Sequence, residues 1–118
     1  MNINPENKKI IENNPVAFAT ISGNKPYVIG VACCKVLNRN TILITDNYMK
    51  STIKNILKNN NVALVAWNKK WEGIQILGKT KYYREGKWLD HVKKMKENKG
   101  LPAKGAILVK ISKIIKSK

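Results

Sequence analysis

Apolar residues along the chain fall into short β-branched runs, punctuated by Asn, Gly and Lys, with helical spacing in three places. The first helical segment is 5–13. Asn4 can cap it, Pro5 suits the first helical position, and Ile10 and Ile11 give a small apolar face. Val16-Ala17-Phe18-Ala19-Thr20-Ile21 then reads as a strand, and Ser22-Gly23-Asn24-Lys25 has turn chemistry. A second strand is predicted over Pro26–Val36, a turn over 37–40, and a third strand over Thr41–Thr45, which is β-branched at four of five positions.

Lys50–Asn59 carries Ile53, Ile56 and Leu57 at helical spacing and stops at Asn59-Asn60-Asn61. The continuous apolar run Val62–Trp67 predicts a strand buried on both faces. After a turn at 68–70, a long strand is expected over 71–83, with Gly73 and Gly78 marking bends or bulges. Lys87–Asn98 reads as a third helix, with Trp88, Val92 and Met95 on one stripe and Pro102 beyond it. Ala106–Ile115 is the last strand. Six strands joined mainly by tight turns predict a mainly β architecture, an antiparallel sheet rolled into a small barrel with helices outside.

Composition sharpens this picture in three ways. A length of 118 residues with 43% hydrophobic content suits one globular domain. No apolar run approaches the roughly 20 residues of a membrane span, and the N-terminal segment lacks the apolar centre of a signal peptide. A cytoplasmic protein with no membrane partner is therefore expected. The two cysteines, Cys33 and Cys34, are adjacent and would point to opposite faces of a strand, so they read as packing residues rather than a bridge. With His91 the sole histidine, no metal site is expected.

The net charge is +16, from 23 basic and 7 acidic residues, which raises the question of nucleic acid. Only Arg39 and Arg84 are arginines, the lysines are dispersed, and no basic–aromatic interleaving occurs. Non-specific polyanion binding is expected, and a basic nucleic-acid-binding barrel is one alternative reading. No Ser/His/Asp or Cys/His arrangement and no carboxylate pair is present, so no catalytic side chain is assigned. The densest ligand-binding chemistry is the helix start Lys50-Ser51-Thr52. Free backbone N–H groups, two hydroxyls and an ammonium there suit a phosphate.

The order of elements and several short strings resemble the pyridoxamine 5′-phosphate oxidase-like family of FMN-binding split β-barrels, especially its short single-domain members. The strings are Ala19-Thr20-Ile21-Ser22, Lys25-Pro26, Lys35-Val36-Leu37, Thr41–Asn47, Asn55-Ile56, Asn61-Val62-Ala63-Leu64 and Ile76-Leu77-Gly78-Lys79-Thr80. The resemblance implies that residues 1–118 form a single FMN-binding split-barrel domain with six antiparallel strands. It implies a homodimer with FMN at the subunit interface. The phosphate falls to Lys50, Ser51 and Thr52, the flavin-facing strand to Val31, Ala32 and Cys33, and the flavin edge to Thr45, Asp46 and Asn47. Gln75 lies near a flavin-contacting position of the oxidase branch. The C-terminal Arg/His substrate motif of the full oxidases has no counterpart in Lys113–Lys118. What the resemblance implies is an oxidoreductase passing hydride or electrons through FMN, or a non-catalytic flavin carrier or electron-transfer module.

Overall fold

The computed structural model describes residues 2–117 and contains seven antiparallel strands in one sheet, with three α-helices and a 3₁₀ turn. The strands are β1 Val16–Ser22, β2 Lys25–Val31, β3 Cys34–Asn38, β4 Thr41–Asp46, β5 Asn61–Trp67, β6 Gly73–Tyr83 and β7 Gly105–Ser117. The helices are α1 Pro5–Asn13, α2 Ser51–Lys58 and α3 Lys87–Lys94. The mainly β architecture expected from the sequence is present, with seven strands where six were expected.

The sheet runs in the order β2-β1-β5-β6-β7-β4-β3. Its two edge strands, β2 and β3, are joined by only Ala32 and Cys33. Val31 and Cys34 are three residues apart, at most about 11 Å of extended chain, so these strand ends lie close and the sheet must curl round on itself. This tight connection explains the strand count. The expected single strand Pro26–Val36 is two strands, because its first half pairs with β1 and its second half with β4, on the opposite edge.

The barrel interior is filled by Phe18, Ile42, Ile44, Leu64, Ile74, Ile76, Ile107 and Val109, none above 2% exposed. α1 packs against β3, β5 and β6, α2 against β1, and α3 against β7. Asn4 caps α1 as expected, accepting from the Asn7 N–H at 2.8 Å, with Pro5 in the first turn. A second apolar cluster forms outside the barrel, where Leu43, Val92, Met95 and Ala106 meet under α3.

β4 is the strand buried on both faces: Ile42 and Ile44 point into the barrel, Leu43 into the second cluster. β5 was expected to be such a strand, yet it alternates. Val62, Leu64 and Ala66 are buried, and Ala63, Val65 and Trp67 are half-buried on the outer face. Among the described residues, the helix packed against β5 is α1, whose Ile11 joins the interior cluster.

Smaller differences have local causes. The expected helix 87–98 breaks at Met95, whose ψ of 126° is extended, before a 3₁₀ turn at Lys96–Asn98. Met95 thereby turns into the second cluster beside Val92. Trp88, expected in the core stripe, is half-buried against that cluster. The long strand begins at Gly73 rather than Trp71, which sits in the β5–β6 turn with φ 63°. At Gly78 the expected bulge is present as a register shift in the β6–β7 pairing. A Cβ there would lie 2.5 Å from the Lys110 carbonyl oxygen, so glycine lets β7 approach.

Candidate functional site

A largely apolar cleft of about 470 Å³ lies between the end of β2, the end of β4 and the start of α2. Such a volume is in the range of small-ligand sites. One wall is backbone and small apolar side chain: Ile29, Gly30, Val31 and Ala32. Thr45 and Asn47 stand at the end of β4, the loop residues Tyr48 and Met49 follow, and Lys50, Ser51 and Thr52 close the cleft at the helix start. Leu101, from the segment before β7, completes it.

The helix start has the electrostatics of an anion site. Lys50 is the N-cap residue, and no side chain caps the first turn, since a lysine has no acceptor to offer. The first intrahelical bond to Lys50 is the Lys54 N–H to its carbonyl at 3.2 Å. The N–H groups of Ser51, Thr52 and Ile53 thus face out from the positive end of α2. α2 is pinned to the barrel by its amphipathic face, Ile53 and Ile56, and by Asn55, whose amide donates to the Thr20 hydroxyl at 3.0 Å.

The loop between β4 and α2 is fixed from beneath. Asp46 is 1% exposed and accepts from the Met49 N–H at 3.0 Å and from the Tyr82 hydroxyl at 2.5 Å. Burial, then the hydrogen bond to Asp46, pushes the Tyr82 phenol up to about 12. Asn47 exchanges amide hydrogen bonds with Asn98 and accepts from the Ala103 N–H at 3.0 Å. These bonds hold the 95–104 segment, and with it Leu101, against the end of β4. Among the described residues, every buried side-chain nitrogen and oxygen has a partner.

Seven of the nine residues singled out in the sequence line this cleft: Val31, Ala32, Thr45, Asn47, Lys50, Ser51 and Thr52. Cys33 and Asp46 do not. Cys33 packs beside Leu43 in the outer cluster, and Cys34 faces the barrel interior, so the pair occupies opposite faces as adjacency requires. Burial raises both thiols, Cys34 to about 12. Gln75 lies on the exposed face of β6, opposite Val65, and not in the cleft. Met49 and Leu101 were not found by sequence reading. Met49 directly precedes the helix cap Lys50, and that proximity was the one available signal. Leu101 arrives only through the Asn47–Asn98 contact, which no local pattern announces.

Among the described residues, the titratable side chains lining the cleft are Tyr48 and Lys50, with no His, Cys, Asp or Glu. Nearby, Lys35 and Glu97 pair at 2.5 Å across β3 and the 3₁₀ turn, which lowers the Glu97 carboxyl and raises the Lys35 ammonium. His91 is exposed on α3 and lies against Trp88 in the second cluster, not in the cleft.

Comparison with known proteins gives a consistent picture. The family model described as pyridoxamine 5′-phosphate oxidase matches residues 3–118. An uncharacterized protein of Methanocaldococcus jannaschii is 38% identical over 111 residues, covering 90% of this chain and 74% of that protein. HupZ of Group A Streptococcus has a similar structure, with a TM-score of 0.87 at 20% identity, covering 97% of this chain and 93% of that one. An FMN-binding protein from Syntrophomonas wolfei superposes with a TM-score of 0.79 at 16% identity, covering 95% and 84%. At those identities the structural likeness speaks for the fold. Given a family model matched over nearly its whole length and a relative of 38% identity, the chain belongs to the pyridoxamine 5′-phosphate oxidase-like family.

Proposed function

We propose that residues 1–118 act as one FMN-binding split-barrel domain, with Met1 and Lys118 lying outside the described residues. In this reading FMN occupies the cleft between β2, β4 and α2. The observation that carries it is the junction of two unlike surfaces. An apolar wall at 29–32 stands beside an uncapped helix start bearing Lys50, Ser51 and Thr52. A flavin ring suits the first and a phosphate the second. Thr45 and Asn47 place the polar end of β4 beside the ring edge, with the Asn47 amide itself engaged by Asn98 and Ala103. Asp46 supports the loop from behind.

Flavin chemistry is hydride or electron transfer, supplied by the cofactor itself. The chain's part is to bind, orient and shield, since the cleft holds no acid–base pair. The function proposed is therefore that of an FMN-dependent oxidoreductase. The same lack of acid–base groups gives a second reading, a flavin carrier or electron-transfer module. The two part on whether nicotinamide donors reduce the bound flavin.

A homodimer with the flavin at its interface is part of the proposal. The support is the outer sheet face, where Val28, Ala19, Ala63 and Leu77 form one row across four strands and Gly30, Ala17 and Val65 the next. Val28 is 67% exposed in the single chain. An apolar face of this extent is suited to covering by a second copy.

The pocket assignment is tested by comparing FMN with riboflavin, which lacks the phosphate. Lys50→Ala is expected to weaken FMN by about tenfold and to leave riboflavin unchanged. Equal loss for both ligands would remove the phosphate from the start of α2.

A further inference from the structure

A second concavity, of about 510 Å³, lies on the other flank of α2 and shares only Met49 and Lys50 with the cleft. Its floor is apolar: Ile53, Leu57 and the ring of Tyr82. Leu57 is 62% exposed, an uncommon exposure for the apolar face of a helix. Its rim is cationic, with Lys50, Lys54, Arg84 and Lys104 contributed by α2, the end of β6 and the segment before β7.

Acidic residues do not balance this rim. Asp46 is the only acid lining the concavity. It is buried, and the Met49 N–H and the Tyr82 hydroxyl already engage its oxygens. Among the described residues, Lys104 is the rim cation already engaged, donating to the Met49 carbonyl at 2.9 Å and standing 3.9 Å from Asp46. Among the described residues no ion pair joins Lys50, Lys54 or Arg84 to a carboxylate.

Arg84 is also preorganised. Its guanidinium lies 5.5 Å from the centroid of the Tyr82 ring. Tyr82 is in turn held by Asp46 and packs on Gly105, where a Cβ would collide with its hydroxyl and ring. A rigid tyrosine thus presents an arginine to a hollow that no acidic side chain fills.

We propose that this concavity binds a small organic anion carrying two or more phosphate or carboxylate groups on an apolar body, at a site separate from the cleft. The charged groups meet Arg84, Lys54 and Lys104, and the body covers Leu57 and Ile53. A concavity, rather than a stripe along the surface, favours a small molecule over a nucleic-acid backbone.

The test is calorimetric titration of the full chain, with and without saturating FMN, using inorganic pyrophosphate in one arm and citrate in the other. The buffer holds about 150 mM salt, which screens the diffuse field beyond about 8 Å. Saturable binding of either probe is expected, and it persists in the presence of FMN. Arg84→Ala and Lys54→Ala each weaken it by about fivefold, the scale of one exposed ion pair. Lys25→Ala, at the exposed start of β2, removes the same charge and leaves binding unchanged. Melting curves confirm that all three variants fold. The proposal is overturned if neither probe saturates, or if Lys25→Ala weakens binding as much as Arg84→Ala. It is equally overturned if FMN displaces the probe while Arg84→Ala has no effect. A single-stranded oligonucleotide that binds better than either probe, and that all three variants weaken equally, also overturns it.

Discussion

The side-chain amides of Asn47 and Asn98 hydrogen-bond each other reciprocally, at 2.8 and 3.0 Å, although 51 residues separate them. Both are buried, and Asn47 also accepts from the Ala103 N–H. One side chain at the end of β4 therefore fixes the segment that brings Leu101 to the cleft.

Asn47→Ala leaves the Asn98 amide and the Ala103 N–H without their partner. Each orphaned buried group costs about 1–3 kcal/mol, so urea unfolding should show a loss of at least about 2 kcal/mol. Asn98→Ala should cost less, because the Asn47 oxygen keeps its bond from Ala103. The same two variants rank ligand affinity in that order if the 95–104 segment supports the cleft.

The Tyr82–Asp46 bond gives a second prediction. Tyr82→Phe removes a hydrogen bond to a buried carboxylate, worth about 1.5–3 kcal/mol. Its pH dependence has a definite sign. Burial, then the bond to Asp46, pushes the folded phenol up to about 12, above the ordinary tyrosine value of about 10, so the folded state holds this proton more tightly than the unfolded state. The contribution is complete below pH 10 and is lost as pH rises from about 10 towards 12. Denaturant unfolding measured across that window should fall less steeply in Tyr82→Phe than in the parent.

Cys33 and Cys34 are each 6% exposed, and burial raises both thiols. Thiolate is therefore scarce near neutral pH, and access is poor. A thiol-specific chromophore at pH 8 should leave both unmodified in the folded protein and titrate two thiols in guanidinium. Rapid native reaction of Cys33 would mean that the β2–β3 junction opens.

Gly105→Ala tests how the loop support is packed. The added Cβ meets the Tyr82 ring within 2.6 Å, so Tyr82 must move away from Asp46. The expected result is a destabilisation of about 1–3 kcal/mol, the usual cost of overpacking. Together with Tyr82→Phe it should be less than additive, since both variants break the same bond.

Much of the fold is legible in the chain because its signals are local. Asn4-Pro5 starts α1, Thr41–Thr45 is a strand by β-branching, and Ile53, Ile56 and Leu57 mark α2. The break at Ala32-Cys33 is not legible: Gly30–Leu37 is an unbroken stretch with no turn chemistry after its first residue. What divides it is long-range pairing with opposite edges of the sheet. Burial of β4 on both faces depends on α3 docking over Leu43, which the local pattern of β4 does not encode. The start of α2 was visible as a candidate because a helix terminus concentrates its chemistry in three consecutive residues. Leu101 and the Asn47–Asn98 clamp were not, since tertiary contact alone creates them.

The most direct test of the central proposal is titration of the purified chain with FMN, followed by quenching of flavin fluorescence. The account predicts saturable quenching at one FMN per chain, tighter than riboflavin and weakened by Lys50→Ala. FMN fluorescence that stays unchanged across the titration, in protein that melts cooperatively, would contradict it.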